Sequence, residues 1–185
     1  MNTTYNPAIH HRRSIRLRNY DYGQFGYYYV TICIHEKRHL LGEIVDSQMH
    51  LSEMGAIVEL EWKRSEVIRN EIIIHDFVVM PNHLHGIVQI NCDSVGAKGP
   101  SPVHDSQICM KPRSLSSLIS GFKAAVTTQC RQSGHPEFAW HRGYHERILR
   151  KVDELFQVRQ YIRANPMEWA IAEEPGMWCG ENGNG

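Results

Sequence analysis

The segment EIIIHDFVVMPNHLHGIVQI, residues 71–90, decides the fold. Its two apolar halves are rich in β-branched residues, which favour strands, and the Pro81-Asn82 pair between them is typical of a tight turn. We therefore predict an antiparallel hairpin. A strand built only for packing has no use for His83 and His85 in its apolar run, so the hairpin also raises the question of function.

The patterns on either side of the hairpin predict the remaining elements. They are a strand over 27–34, a helix over 51–69 with Ser52 as N-cap, a helix over 114–131 with Ser114 as N-cap, an extended stretch over 138–150 that ends in a strand, and a helix from the Asp153 cap to Asn165 that Pro166 stops. The order β-α-β-β-α-β-α contains two split βαβ units. It predicts an α+β, ferredoxin-like antiparallel sheet with the histidines on a central strand and helices packed on one face.

The chain divides into an arm, a domain and a tail. Residues 1–20 are predicted to form a basic arm, residues 21–172 a folded domain and residues 173–185 a disordered tail. Within the domain, residues 92–113 carry Gly, Pro and Ser without periodicity, which indicates a loop.

Composition narrows the classes of protein. The chain has 185 residues and a formal net charge of zero, so only local charge can support binding to nucleic acid. It has no apolar run long enough for a transmembrane helix and no apolar centre of a signal peptide near its start. The five cysteines form no CxxC pair, which indicates reduced thiols. We therefore expect a cytoplasmic protein with no membrane partner.

The two histidines point to a metal. Side chains alternate along a strand, so His83 and His85 share one face, while Leu84, Gly86 and Val88 form the opposite, apolar face. Two imidazoles at this spacing can bind one divalent cation, but a third ligand must come from elsewhere. The alternative is two half-buried histidines that hydrogen-bond to the backbone. Gly86 favours the metal site modestly, because glycine lets another element approach closely.

The last predicted helix supplies the missing groups. Tyr161 and Asn165 lie four residues apart, one above the other, on a flank of the helix. Leu155, Val158 and Ile162 define its buried face. The Asn165 carboxamide can complete a His-His-Asn metal set, with the Tyr161 phenol beside the metal. The alternatives are an amphipathic edge tyrosine and a polar group at a helix end.

The chain resembles a known family, the HUH single-tyrosine transposases, and within it the REP-associated tyrosine transposases. The resemblance rests on RRSIRLRNYDY (12–22), VVMPNHLHGIV (78–88), YHERILR (144–150) and YIRANPMEW (161–169), which occur in the same order. It covers roughly residues 12 to 170.

The resemblance implies metal-dependent cleavage and rejoining of single-stranded DNA, as in DNA transposition. Tyr161 would be the nucleophile and would form a 5′-phosphotyrosine, and the cofactor on His83, His85 and Asn165 would be Mg²⁺ or Mn²⁺. Imidazole also accepts Zn²⁺, so the sequence leaves the metal open. The implied substrate is a REP-like palindromic hairpin, and the implied location is the nucleoid of a bacterium. The chain would act as a monomer or a homodimer.

The arm is the natural DNA contact. Its arginines can bind phosphates and nearby tyrosines can stack on bases, with one lysine of the second long helix as a weaker candidate. The predicted DNA-binding residues are Arg12, Arg13, Arg16, Arg18, Tyr20, Tyr22 and Lys123. Among the other tyrosines, Tyr144 is the second candidate nucleophile.

Two other functions remain open. One is a DNA-binding protein without catalysis, which would bind hairpins and leave them intact. The other is an unrelated H-x-H metalloenzyme, which would act on small molecules and form no covalent adduct with DNA.

Overall fold

A computed structural model describes residue 22 and residues 24–91 and 113–171 of the chain. The predicted arm and tail, and the predicted loop except for its last residue, lie outside the described residues.

The described chain contains six strands and three α-helices. In chain order they are β1 (Gly26–Cys33), β2 (Gly42–Val45), β3 (Gln48–Leu51), α1 (Glu53–Ile68), β4 (Ile72–Met80), β5 (His83–Ile90), α2 (Leu115–Gln132), β6 (His145–Leu149) and α3 (Val152–Ile171). The hairpin predicted from residues 71–90 is β4 and β5, joined by the turn at Pro81-Asn82. The short β2–β3 hairpin was not predicted.

Four strands form the main sheet in the order β4-β5-β1-β6, and every neighbouring pair is antiparallel. Leaving out the separate β2–β3 hairpin, this is the strand order of the ferredoxin-like fold. The predicted fold class is therefore confirmed. Strand β5, which carries both histidines, lies in the centre of the sheet.

Helices cover both faces of the sheet. The larger core includes Tyr28, Leu84, Val88 and residues of α1 and α2 such as Trp62. The smaller core joins Ile87 and Leu149 of the sheet to Val158 and Ile162 of α3. The prediction that the helices pack on one face holds for α1 and α2. It is wrong for α3, because Val158 and Ile162 of that helix pack on the histidine face.

Gly86 holds β5 close to α1. A Cβ atom built on it would lie 2.8 Å from Cζ2 of Trp62, which is too close for an ordinary contact. The Trp62 side chain is fully buried and packs edge-to-face on Phe122. The close approach predicted from the glycine therefore occurs, and it is made by α1.

Two predicted helix caps are present. The Ser52 side chain accepts a hydrogen bond from the backbone N–H of Gly55, and the Ser114 side chain accepts one from Ser117. Each cap satisfies a backbone donor that the first helical turn leaves free.

Helix α3 is longer than predicted. The sequence predicted an end at Asn165, but the helix continues through Pro166 to Ile171. Pro166 removes one backbone donor and crowds the preceding turn, which usually ends a helix. Here the extra turn carries Trp169, whose ring packs against the rings of His39 and His83. These contacts favour continuation of the helix beyond the proline.

No helix in the described part of the chain is long and apolar enough to cross a membrane. Cys33 and Cys130, the two cysteines among the described residues, are buried free thiols.

Candidate active site

The two histidines of β5 turn their ring nitrogens toward each other. His83 and His85 project from the same face of the sheet, and their Nε2 atoms lie 2.9 Å apart. Both side chains are buried, with exposures of 6% and 2%. The pair is therefore a compact two-nitrogen centre beneath α3.

Asn82, the second residue of the hairpin turn, sets the tautomer of His83. Its Nδ2 donates to the carbonyl oxygen of Lys37 at 3.2 Å, so its Oδ1 faces the imidazole. That oxygen lies 2.7 Å from Nδ1 of His83 and can only accept, so Nδ1 carries the proton. His83 consequently presents a lone pair at Nε2.

Two hydroxyls of β1 meet the other nitrogen of His85. The Tyr29 hydroxyl lies 2.7 Å from Nδ1 and the Thr31 hydroxyl 2.9 Å from it. The Tyr29 ring also stacks on the imidazole, with centroids 5.4 Å apart. The register of the ladder brings these groups together, because Thr31 pairs with His85 and Tyr29 with Ile87.

Both imidazoles are held neutral at neutral pH. Burial, and after it repulsion from His39, lowers the pKa of His83 to about 4. Burial also lowers the pKa of His85 well below its usual range, and the neighbouring His83 adds to this effect. Neutral imidazole is the form that ligates a metal.

Helix α3 places the phenol beside this centre. The rings of Tyr161 and His85 are 5.4 Å apart, and Tyr161 meets Tyr29 edge-to-face at 6.4 Å. The Tyr161 hydroxyl hydrogen-bonds to Asn165, one turn along, and to Tyr29. Burial raises the pKa of Tyr161, while these two hydrogen bonds act in the opposite direction. The phenol is therefore protonated at neutral pH.

The donor set fits a small divalent cation. Ligands that lie at right angles in an octahedral site with bonds of about 2.1 Å are about 3.0 Å apart. The Nε2 atoms of His83 and His85 are 2.9 Å apart, which agrees with this spacing. Asn165 is buried and supplies an amide oxygen on the adjacent helix. Among the described residues, no three His, Cys, Asp or Glu side chains group as metal ligands, so a site here depends on the amide.

An acidic residue of β4 fixes α3 on the sheet. Asp76 accepts from Nε of Arg163 at 2.8 Å and lies 3.1 Å from Nε of Arg159. Asp76 stands at a β-bulge between Ile74 and Phe77, where the pairing of β4 with β5 shifts register. Because the two arginines flank Tyr161, this clamp also holds the phenol in place.

A pocket of about 720 Å³ opens beside the histidines. Its walls include Trp169 of α3, Pro81 of the turn, and His39 and His50. The Trp169 ring lies 5.8 Å from the His83 ring, so the pocket adjoins the two-nitrogen centre.

Two predicted DNA-binding residues that the structure describes, Tyr22 and Lys123, lie apart from this centre. Tyr22 packs on the larger core, 6.0 Å from the Tyr28 ring. The Lys123 ammonium donates to the carbonyl oxygens of His141 and Gly143, and burial lowers its pKa to about 8. The arm residues Arg12, Arg13, Arg16, Arg18 and Tyr20 lie outside the described residues.

Tyr144, the second candidate nucleophile, packs on the larger core, and its hydroxyl lies 3.4 Å from that of Ser116. That core is on the face opposite the histidines, so Tyr161 is the better candidate.

Three residues of the site were not predicted from the sequence: Tyr29, Thr31 and Asn82. The alternation of β1 puts Tyr29 and Thr31 on one face, but only the register with β5 shows that this face meets His85. A usable signal for Asn82 was its position beside His83, since turn amides often bind neighbouring groups.

Comparisons with known proteins agree with this architecture. The chain is 39% identical over 173 residues to an uncharacterized protein from Haemophilus influenzae, a match that spans 91% of this chain and 96% of that protein. A solved structure of a REP-associated tyrosine transposase bound to a REP hairpin superimposes with a TM-score of 0.57 and 19% identity, over 88% of this chain and 78% of the other. No family model matches the chain.

Proposed function

We propose that this chain, which belongs to one family with the Haemophilus influenzae protein and has the fold of a REP-associated tyrosine transposase, cleaves and rejoins single-stranded DNA. The observation that carries the proposal is the Tyr161 phenol beside the His83–His85 pair, with 5.4 Å between the rings of Tyr161 and His85. A buried pair of convergent imidazoles next to a phenol has the parts that a phosphoryl transfer needs.

The chemistry begins at the Tyr161 oxygen. That oxygen attacks the scissile phosphorus and loses its proton to solvent, while the bond from phosphorus to the 3′ oxygen breaks. The 3′ oxygen takes up a proton and leaves as a hydroxyl, and the 5′ phosphate stays on Tyr161 as a phosphodiester. A 3′ hydroxyl can reverse this step and join strands, because the phosphotyrosine conserves the bond energy.

His83, His85 and Asn165 would hold Mg²⁺ or Mn²⁺. Bound there, the cation would polarise the scissile phosphate and offset the charge that builds on it. The neutral imidazoles, the 2.9 Å spacing of their Nε2 atoms and the buried amide support this assignment. Asn82 would support the metal site indirectly. Its hydrogen bond with Nδ1 of His83 fixes the tautomer that has a lone pair at Nε2.

The DNA would approach along the pocket beside Trp169. An unpaired base can stack on an exposed part of an indole, and stacking of this kind tolerates any sequence. The imidazole N–H groups of His39 and His50 on the pocket wall can donate hydrogen bonds to phosphates. We expect a hairpin substrate with a single-stranded flank, since the structural neighbour is bound to a REP hairpin. The arginines of the arm would add phosphate contacts.

Cleavage of an end-labelled hairpin with a single-stranded flank tests the proposal. With Mn²⁺ the protein should cut the flank and give a band that is resistant to denaturation and contains both protein and DNA. Tyr161→Phe should abolish both products, whereas Tyr27→Phe, which changes a phenol on the same sheet face, should keep both. Binding without cleavage by the unaltered protein would instead indicate a DNA-binding protein that lacks catalysis. An adduct from Tyr161→Phe would refute the choice of nucleophile.

A further inference from the structure

Tyr29 of β1 touches both parts of the candidate site. Its hydroxyl lies 2.7 Å from Nδ1 of His85, and it also hydrogen-bonds to the Tyr161 hydroxyl. A phenol has a single proton to donate. Tyr29 can therefore donate to His85 or to Tyr161, but not to both at once.

The position of the proton on His85 biases Tyr29 toward one of these two partners. His83 presents a lone pair at Nε2, because Asn82 holds its proton at Nδ1. Nε2 of His85 lies 2.9 Å from that lone pair, so without a metal it must carry the proton and donate it to His83. Nδ1 of His85 then has a lone pair that accepts from the Tyr29 hydroxyl or from the Thr31 hydroxyl.

Metal binding reverses this arrangement. A ligating Nε2 has no proton, so a neutral His85 must carry its proton at Nδ1. Nδ1 then donates to the oxygen of Tyr29 or Thr31, and the Tyr29 proton is free to point at Tyr161. The imidazole loses one proton at Nε2 and gains one at Nδ1, so the net charge of His85 and of both phenols is unchanged.

We propose that Tyr29 links the metal to the nucleophile: its hydroxyl donates to His85 in the metal-free protein and to the Tyr161 oxygen in the metal-bound protein. The catalytic consequence rests on the proposed function. Negative charge develops on the Tyr161 oxygen during attack and again when that oxygen leaves in the joining step. A donor aimed at this atom stabilises both transition states. The metal thus favours the arrangement in which Tyr29 donates to the nucleophile, because Nδ1 of His85 then no longer accepts the Tyr29 proton.

Nitrogen NMR of the histidine side chains tests the switch without DNA. Long-range ¹H–¹⁵N correlation distinguishes the two neutral tautomers, and the signal of His85 is assigned by its loss in His85→Gln. We expect the proton at Nε2 in EDTA and at Nδ1 with diamagnetic Zn²⁺. A proton at Nδ1 in EDTA, or an unchanged tautomer with millimolar Zn²⁺, would overturn the proposal.

Single-turnover kinetics at saturating metal and DNA test the consequence. Tyr29→Phe removes only the hydroxyl and should slow cleavage by about 10²-fold, the usual effect of deleting one donor to a developing oxyanion. Rejoining should slow to the same extent, and the affinity for DNA should not change. Thr31→Val removes the other hydroxyl on Nδ1 of His85 but keeps the Tyr29 donor, so it should slow cleavage less than Tyr29→Phe does. Tyr27→Phe, which lies outside the site, should change the rate by less than about threefold.

The pattern across the variants separates the proposal from a structural role. If Thr31→Val and Tyr29→Phe lose cleavage rate equally, the two hydroxyls only orient His85. A wild-type rate in Tyr29→Phe would mean that Tyr29 does not act on Tyr161. If the unaltered protein cleaves no DNA at all, the proposed function fails, while the tautomer measurement still decides whether the switch exists.

Discussion

Gly86→Ala is the sharpest test of how the histidine strand is held. The added Cβ would lie 2.8 Å from Cζ2 and 3.2 Å from Cε2 of Trp62. Carbon atoms in contact are normally about 3.5–4.0 Å apart, so the overlap is at least about 0.7 Å. The Trp62 ring cannot move away easily, because it is fully buried and packs on Phe122 with centroids 5.0 Å apart.

The expected cost follows from two opposing terms. Overpacking a tight core costs about 1–3 kcal/mol, whereas replacing a strand glycine by alanine returns about 0.5–1 kcal/mol of backbone entropy. Because the buried Trp62 ring cannot move aside, the overpacking cost should lie in the upper part of its range, and the net loss should be about 1–2 kcal/mol. For a chain of this size, that lowers the melting temperature by about 2–8 °C. Cleavage should fall further, because a shift of β5 displaces both His83 and His85, which need close alignment with the substrate.

Urea unfolding of matched variants measures this effect. Gly121→Ala is the control, because a Cβ there meets no heavy atom within 4 Å and the residue lies inside α2. It should stabilise the protein by about 0.5–1 kcal/mol, since alanine favours a helix interior. A Gly86→Ala protein as stable as the parent would refute the tight contact between α1 and β5.

Four further results are expected. Tyr161→Phe should lower the free energy of unfolding by only about 1 kcal/mol, the value of a partly buried neutral hydrogen bond. Asn165→Ala should lose cleavage in dilute Mn²⁺ and partly recover it in excess Mn²⁺, since mass action can fill a weakened metal site; no recovery would argue against an Asn165 ligand. Asp76→Asn should lower the free energy of unfolding by about 1 kcal/mol. It should also slow cleavage, because it weakens the contact between β4 and α3. An unchanged rate would mean that Asp76 does not help to position Tyr161. Deleting residues 1–19 should reduce the log–log salt slope of DNA binding by roughly 3, about 0.7 for each phosphate that the arm no longer neutralises, and an unchanged slope would exclude the arm from binding.

The fold could be predicted because its main signals are local. The β4–β5 hairpin follows from two β-rich runs around Pro81-Asn82, and both helix caps from a serine before a periodic stretch. The end of α3 could not be predicted in this way. Pro166 is a strong local stop signal, and only the tertiary contacts of Trp169 with His39 and His83 explain why the helix continues.

The same distinction between local signals and tertiary contacts applies to the candidate site. His83, His85, Tyr161 and Asn165 were predicted because each pair lies within one element, where strand alternation or helical spacing relates its members. Tyr29 belongs to a strand 56 residues away from His85, and the contact depends on the register between β1 and β5. A single sequence contains no signal for that register.

The β-bulge in β4 has a consequence for association as well as for the clamp on α3. Within the described sheet, β4 is an edge strand, and an edge strand offers backbone donors and acceptors to any extended chain that it meets. The bulge divides the regular part of this edge into 72–74 and 77–80. A strand from another molecule could pair with 72–74 or with 77–80. It could not pair regularly with both, because the bulge lies between them. The irregularity at which Asp76 stands would thus also make this edge a poorer template for edge-to-edge pairing with another chain.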